Sequence, residues 1–524
     1  MCGIAGIVST AAADAGQVRL MCDALAHRGP DAAGHHEGGR AALGSRRLAV
    51  VDVPGGGQPV YNDGTVVAVF HGELYNFREL RGRLAARGHR FASDGDTECL
   101  VHAYEEFGDD LVHELHGMYA FAIWDGRRER LLLARDRLGK KPLYWRSEGD
   151  SLAFASELKA LLRGPVAAGE VDPVALHHYL TYGYVPAPWS IHCDVRKVPP
   201  GHLLTRRAGE TDVARYWRLD CAPRPAGDED EEAERLRVGL LDATRMRMVS
   251  ERPLGAFLSG GLDSSAVAAA MARQSAEPVR TFTIGFDDDD FDERRYARLV
   301  ARRYGTEHHE LVVTPSVTDM LPTLSWHFDE PFADSSAIPS LYLARMSRSH
   351  VTVVLNGDGG DECLGGYRGT PRWPPSGASP CRGPPGRCWR GQGPLSPGAP
   401  GPPRGCGTPG GSSSSSGCRP PGGTPASCRA SPRRAAGRAF APWLPAPIVG
   451  RRKKGFGVPL AAWLRTGLRE LSRDVLTDHT ARSRGLFRPE SVERLLRAHE
   501  AGQDHGPRIW ALVQLELWYR TYAS

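Results

Sequence analysis

Three groups of residues in this 524-residue chain combine side-chain types that can do chemistry. The first is Ser259-Gly260-Gly261-Leu262-Asp263-Ser264-Ser265, set between the apolar run Leu254 to Leu258 and the helix-forming Ala266-Val267-Ala268-Ala269-Ala270. A strand that runs through glycines into a helix leaves backbone N–H groups converging on one point, which suits a phosphate. No GxxxxGK[ST] loop occurs, and hydroxyls with an aspartate stand where that loop would carry its lysine. The second group, Asn356-Gly357-Asp358-Gly359-Gly360-Asp361-Glu362, ends the apolar run Val351 to Leu355. Near Asp263 it would gather carboxylates that repel one another, so it implies a divalent cation; hard oxygen ligands beside phosphates mean Mg²⁺. The third group is Met1-Cys2-Gly3. Removal of the initiator methionine would leave Cys2 with both a thiol and a free α-amine. An amine with a pKa of about 7.7 to 8.0 can take the thiol proton, so one residue supplies nucleophile and base.

Elements of two kinds must position these groups. In the first half, alternating apolar segments read as strands over Thr65 to Phe70, Tyr119 to Trp124 and Arg130 to Ala134. Helical spacing covers Arg78 to Arg87 and Glu98 to Phe107. In the second half, Arg280 to Phe286 reads as a buried strand and Glu293 to Arg303 as a helix. Strand, loop, helix and strand in succession imply a parallel sheet with ligand at the carboxyl ends of its strands. His308 and His309 are adjacent, would point to opposite sides of an extended chain, and are not expected to share a metal.

Five motifs stand in order over residues 1–215: Ala26-His27-Arg28-Gly29-Pro30-Asp31, Arg46-Arg47-Leu48-Ala49-Val50-Val51-Asp52, His71-Gly72-Glu73-Leu74-Tyr75-Asn76, Gly95-Asp96-Thr97-Glu98, and Ala134 to Tyr144. Together they resemble the glutaminase domain of class II glutamine amidotransferases, which implies an α/β fold of the N-terminal nucleophile hydrolase type, an αββα sandwich. By that resemblance Cys2 attacks the side-chain amide of glutamine, Arg47 meets the α-carboxylate, and Glu73 with Asp96 meets the α-ammonium. The backbone of Leu48, Ala49, Val50 and Val51 lines the pocket. The family carries Asn-Gly-Glu where this chain has His71-Gly72-Glu73. The expected oxyanion donors are therefore the Gly72 N–H and a ring N–H of His71.

The stretch Ser259 to Ser265 resembles the SGGxDS loop of ATP pyrophosphatases. With Asn356 to Asp361 and Arg452-Lys453-Lys454-Gly455-Phe456-Gly457, residues 220–524 resemble the synthetase domain of glutamine-dependent asparagine synthetases, a Rossmann-like parallel α/β domain. The resemblance implies that Ser259, Gly260, Gly261, Asp263 and Ser264 cradle the pyrophosphate of ATP, and that Leu258, Ile284, Asn356 and Gly357 form the adenosine site. Asp263 and Asp361 would hold Mg²⁺, Asp358 would serve acyl-adenylate formation, and Lys453 would neutralise charge in α-phosphoryl transfer. The reaction implied is activation of the aspartate β-carboxylate as β-aspartyl-AMP and displacement of AMP by ammonia released at Cys2. Other readings stay open: an amidotransferase or lactam-forming relative acting on another acid, or a glutaminase or nucleotide-binding protein with an impaired synthetase site.

Composition narrows the partners. The net charge of +5 is local, because residues 369–440 hold ten arginines and no Asp, Glu or Lys, while the rest carries 56 basic against 61 acidic side chains. Nucleic-acid binding is not expected, and no apolar run suggests a membrane span. Small-molecule substrates, a cytoplasmic setting and, by the resemblance, a homodimer are the expectations. Eleven cysteines without a CxxC pair argue against a disulfide framework or a cysteine zinc site. Residues 369–432 contain 16 Pro, 15 Gly and one Leu, with no Val, Ile or Phe. Such a stretch cannot build a core, so 368–440 reads as a disordered or frameshifted interruption of the second domain. Sixty arginines against six lysines mark GC-rich coding, which read out of frame yields this composition.

Overall fold

The computed structural model describes residues 1–523 apart from 63, 164–168, 223–226, 287, 289, 314–319, 365–431 and 452–454. Residues up to Arg215 form two six-stranded sheets. In one the order is Val195–Lys197, Tyr144–Glu148, Ser151–Ala155, Gly3–Ser9, Ala41–Arg47 and Ala32–Gly38. In the other it is Glu210–Arg215, His202–Arg207, Arg130–Arg135, Gly117–Asp125, Val66–Leu74 and Val60–Tyr61. Neighbouring strands pair antiparallel throughout.

Period-two alternation explains the layering. Ile4 and Val8 pack inward with Leu43, Val67, Val69, Ala120, Ala122 and Leu133 between the sheets. Ala5 and Ile7, one residue out of step, pack outward with Val18 and Met21 of the helix Ala15–Ala24 and with Leu25 just beyond it. On the far side, Phe70, Phe121 and Ile123 meet Leu80, Leu84 and Leu100 of the helices Phe77–Ala85 and Cys99–Phe107. Two sheets between helix layers are the sandwich that the motifs implied.

The second half is built on a parallel sheet in the order Glu307–Val313, Arg280–Phe286, Leu254–Phe257 and Val353–Leu355. From Leu254–Phe257 the chain winds outward in one direction for two strands, then returns to add Val353–Leu355 on the opposite side. The reversal leaves a crevice beyond the carboxyl ends of the two strands it separates, where ligands bind in such sheets. Helices cover both faces: Leu262–Ala272 and Arg294–Tyr304 on one, with Glu229–Arg247, and the C-terminal helices through Trp510 and Val513 on the other.

The last nine residues of the expected interruption are helical. Pro432–Phe440 is a helix, and Ala436, Ala439 and Phe440, at spacings of three and four, are buried in the apolar cluster that also holds Ala233 of Glu229–Arg247. Arg438 reaches Glu229 at 2.6 Å and Asp230 at 2.8 Å. Residues 368–431 of the expected segment lie outside the described residues.

Candidate functional sites

Cys2 sits at the start of the strand Gly3–Ser9, and its Sγ is 3.4 Å from the Leu48 N–H. Its carbonyl accepts from Arg28 Nε at 3.0 Å. Burial pushes the thiol above its usual pKa, and the Leu48 N–H opposes that. The pocket beside it is lined by Arg47, Leu48, Val50, Val51, Gly72, Glu73 and Asp96, with Gly56, Gln58 and Thr97. Seven of the expected glutamine-site residues plus Gly72 therefore come together, if Cys2 is counted and Ala49 is not. Ala49 belongs to the loop and not to the wall: its N–H donates to Asp31 at 2.9 Å and its carbonyl accepts from Arg252 at 3.1 Å.

Two carboxylates and a guanidinium give this pocket its character. Burial raises the pKa of Asp96, and burial followed by the charge of Asp96 raises that of Glu73. A cation placed between them would remove both penalties. Asp96 is held in place by the Leu74 N–H at 2.9 Å. Arg47 donates to the carbonyls of Val51 at 3.1 Å, Asp52 at 2.5 Å and Val53 at 3.0 Å, so it shapes the loop that bounds the pocket. Gly56 lets it do so, because a Cβ there would lie 2.5 Å from Arg47 Nη2. The same loop is clamped from the second half: Glu251 accepts from the N–H groups of Asp52 at 2.8 Å and Val53 at 2.9 Å.

His71 departs from its expected place. It is fully buried and absent from the pocket wall. Its Nε2 lies 2.9 Å from Arg28 Nη2 and its Nδ1 lies 3.1 Å from Ser156 Oγ. Burial and the Arg28 charge hold the ring well below its usual pKa, so it is neutral. A guanidinium can only donate, so Nε2 accepts and the single ring proton sits on Nδ1, facing Ser156. No ring N–H remains for an oxyanion. Arg28, which no sequence argument had given a role, thus touches Cys2, His71 and, at 2.5 Å, Glu157. Lys141 is a second such residue, buried with its pKa lowered to about 8 by desolvation. Their motifs signalled both, but only proximity shows what they touch.

The second site occupies the crevice of the parallel sheet, a cavity of about 310 Å³. Leu258, Ser259, Gly261, Asp263, Ser264, Ile284, Asn356, Gly357, Asp358 and Asp361 line it. Gly260 lies behind the wall with φ +70°, and a Cβ on it would meet Tyr296 at 2.5 Å, so both conformation and space require glycine. Ser264 Oγ accepts from the Ser259 N–H at 3.2 Å and lies 2.9 Å from Ser259 Oγ, which folds the loop around the start of the helix Leu262–Ala272. The two acidic motifs meet through glycines: a Cβ on Gly357 would fall 2.6 Å from the Ser264 nitrogen, and one on Gly360 2.7 Å from Asp263 Oδ1. Asp361 is buried next to that contact. Asn356 turns its amide onto Asp358 at 2.6 Å and accepts the Asp358 N–H at 3.2 Å. Arg451 pairs with Glu293 and donates to the Gly260 carbonyl at 3.3 Å. Lys453 lies outside the described residues.

A nucleophile pocket in an antiparallel sandwich and a glycine-lined crevice in a parallel sheet define a two-site α/β protein of the amidotransferase and ATP-pyrophosphatase type. Comparison with known proteins agrees. Residues 1–217 match the glutamine amidotransferase domain, and residues 235–397 and 428–520 match asparagine synthase. The chain is 37% identical over 377 residues to asparagine synthetase [glutamine-hydrolyzing] 1 of Bacillus subtilis, covering 70% of this chain and 59% of that one. It is 33% identical over 393 residues to putative asparagine synthetase [glutamine-hydrolyzing] 2 of Methanocaldococcus jannaschii, covering 70% and 76%. Amidase chry2 of Gibberella zeae is 31% identical over 379 residues, covering 67% and 55%. The chain belongs to the glutamine-hydrolysing asparagine synthetase family. Its matched part spans about three fifths of the length of the Bacillus subtilis relative.

Proposed function

We propose that the protein makes asparagine from aspartate, ATP and glutamine, with a glutaminase domain over residues 1–215 and a synthetase domain from 220 onward. Cys2, freed of Met1, attacks the glutamine amide. Glu73 and Asp96 take the α-ammonium, because each is a buried carboxylate that ionises readily only beside a cation. The Arg47 side chain takes the α-carboxylate.

In the crevice, Ser259, Gly261 and Ser264 hold the pyrophosphate of ATP while Leu258, Ile284, Asn356 and Gly357 hold the nucleoside. Mg²⁺ would sit on Asp263 and Asp361, where it would neutralise phosphate charge. The fit is chemical: carboxylate oxygens are drawn together by Gly357 and Gly360 for the cation, and the helix N-terminus beside them suits the phosphates. Asp358 orients the acceptor acid, and Lys453 supplies positive charge at the α-phosphate. Electrostatics and positioning suffice for such a transfer.

The observation that carries this reading is the meeting of the Ser259–Ser264 loop and the Asn356–Asp361 acids in one cavity at the sheet's reversal point. The test measures AMP and pyrophosphate with ATP and ammonium, with and without aspartate. Products that require aspartate support the proposal. Products that appear only with a different acid overturn the choice of aspartate, and glutamate release without AMP for any acid overturns the synthetase role.

A further inference from the structure

Away from both sites, three side chains in the first half turn one donor atom each toward a common point. His89 follows the helix Phe77–Ala85, while His102 and Glu105 share a face of Cys99–Phe107 at a spacing of three. His89 Nδ1 lies 3.3 Å from His102 Nδ1, His102 Nδ1 lies 3.2 Å from Glu105 Oε2, and His89 Nδ1 lies 3.5 Å from the same oxygen. The triangle is almost equilateral. A tetrahedral ion bonded at about 2.0 to 2.1 Å to nitrogen and oxygen donors sets them roughly 3.3 to 3.4 Å apart.

The surroundings aim these atoms. Glu106 Oε2 is 3.4 Å from His89 Nε2, and Glu98 Oε1 is 3.7 Å from His102 Nε2. Asn62 Nδ2 donates to Glu105 Oε1 at 2.5 Å, leaving Oε2 to the histidines. His102 is buried, and its Nε2 has no hydrogen-bond partner. Each neutral imidazole has one ring proton. With both protons on Nδ1, two bare Nε2 lone pairs would face carboxylates. With both on Nε2, toward Glu106 and Glu98, two Nδ1 lone pairs and a carboxylate oxygen converge with nothing between them. A mixed arrangement, with one Nδ1–H directed at the other Nδ1 and at Glu105, leaves three donor atoms around a single proton; a cation between them engages all three at once, with the Glu106 carboxylate behind His89 as metal sites use.

We infer that His89, His102 and Glu105 bind one zinc ion, with water as the fourth ligand on the exposed side of Glu105. Two nitrogens and one oxygen in tetrahedral array suit Zn²⁺, whereas Mg²⁺ and Ca²⁺ demand six or more oxygens. The ion ties the helix Cys99–Phe107 to the loop 89–93, whose Ala92 and Ser93 N–H groups already bond Glu98 at 2.8 Å. Asp96 lies just ahead of that helix, so the ion fastens the segment bearing one of the two carboxylates of the glutamine pocket; this last consequence rests on the function proposed above.

The test uses the full chain stripped with a chelator and dialysed against zinc sulfate alone at about pH 7.5, followed by metal analysis, for wild type, His89→Asn and Glu105→Gln. Both variants alter partly exposed side chains, and circular dichroism verifies their fold. One zinc per chain in wild type is expected, with dissociation constants raised about a hundredfold or more in the variants. Cobalt substitution should give the visible absorption of a tetrahedral ion in wild type and not in His89→Asn. No zinc uptake by wild type, or equal uptake by folded variants, overturns the proposal. Because no step of the assay measures catalysis, that failure is distinct from failure of the proposed function.

Discussion

Replacing His71 with asparagine should accelerate glutamine hydrolysis. In the native protein the Arg28 guanidinium occupies Nε2 at 2.9 Å, and the ring proton faces Ser156 at 3.1 Å. In the proposed mechanism the thioester-forming step then proceeds with one oxyanion donor, the Gly72 N–H, in place of two. Loss of one donor costs about 2.7 to 4 kcal/mol of barrier, a factor of roughly 10² to 10³ in turnover. An introduced carboxamide that turns toward Cys2 restores up to that factor. The substitution also leaves Arg28 Nη2 without its acceptor, a buried loss of about 1 to 3 kcal/mol, so the variant should melt a few degrees lower. The assay compares glutamate release from glutamine with AMP formation driven by ammonium. Glutamine turnover should rise at least about tenfold in His71→Asn, ammonium-driven turnover should stay constant, and His71→Ala should match wild type in glutamine turnover. A tenfold loss in His71→Ala would refute the reasoning, because the histidine would then be supplying a donor.

Three further outcomes follow from the same geometry. Glu251→Ala frees the Asp52 and Val53 N–H groups and should raise KM for glutamine while leaving the ammonium-driven reaction untouched; an unchanged KM would mean the loop holds its shape unaided. Glu73→Gln should abolish glutamine binding yet raise the melting temperature at about pH 9 and not at about pH 4. The reason is that a carboxylate whose folded pKa is raised loses stability as pH climbs from its unfolded value through the folded one. A lower melting point at the alkaline end would contradict it. Gly357→Ala drives a Cβ to 2.6 Å from the Ser264 nitrogen and should cut AMP formation about a hundredfold, since displacements near 1 Å have that effect, with glutaminase activity kept. Loss of both activities would show that the two sites do not report separately.

Local patterns carried most of the fold and the chemistry-bearing residues. Arg280–Phe286 is a strand with the bounds that its pattern implied: Phe282, Ile284 and Phe286 alternate into one apolar cluster, while the β-branched Thr281 and Thr283 are buried with their hydroxyls hydrogen-bonded. Val66–Leu74 extends past Phe70, where polar residues hid it; pairing with Gly117–Asp125 carries His71 and Glu73 into the sheet. Types and order exposed Cys2, Asp96 and the phosphate loop. Hidden from sequence were contacts between distant segments: the state of His71 depends on Arg28 and Ser156, 43 and 85 residues away, and the Asp52 loop on Glu251, 199 residues away. No spacing rule reaches across such separations. His89, His102 and Glu105 lie only 13 and 3 residues apart, but a turn between a loop and a helix brings them together, and no spacing fixes that turn.

The same long-range contacts explain why the two sites share one chain. Glu251 and Arg252 clamp the loop of Ala49 to Val53, and two residues later Leu254–Phe257 begins the strand that delivers the phosphate loop. On another side, Arg28 supports the Cys2 carbonyl and is anchored on Glu157; Lys159 binds Glu157 at 2.5 Å and Asp329 at 2.6 Å. Next to Asp329, Glu330 binds Lys197 at 2.5 Å and accepts the Ile191 N–H at 2.8 Å. The Asp329-Glu330 pair is therefore a plug between the halves and not part of either pocket. Glu157, Lys159, Asp329 and Glu330 are all buried. Separating the halves would leave Lys159 facing a single carboxylate and strip two backbone N–H groups of the loop of their acceptor. Buried charges tolerate such losses poorly. The Cys2 pocket thus borrows its loop and its support for Cys2 from the half that holds the sheet crevice, and eight peptide bonds join Glu251, at the edge of one site, to Ser259 in the other.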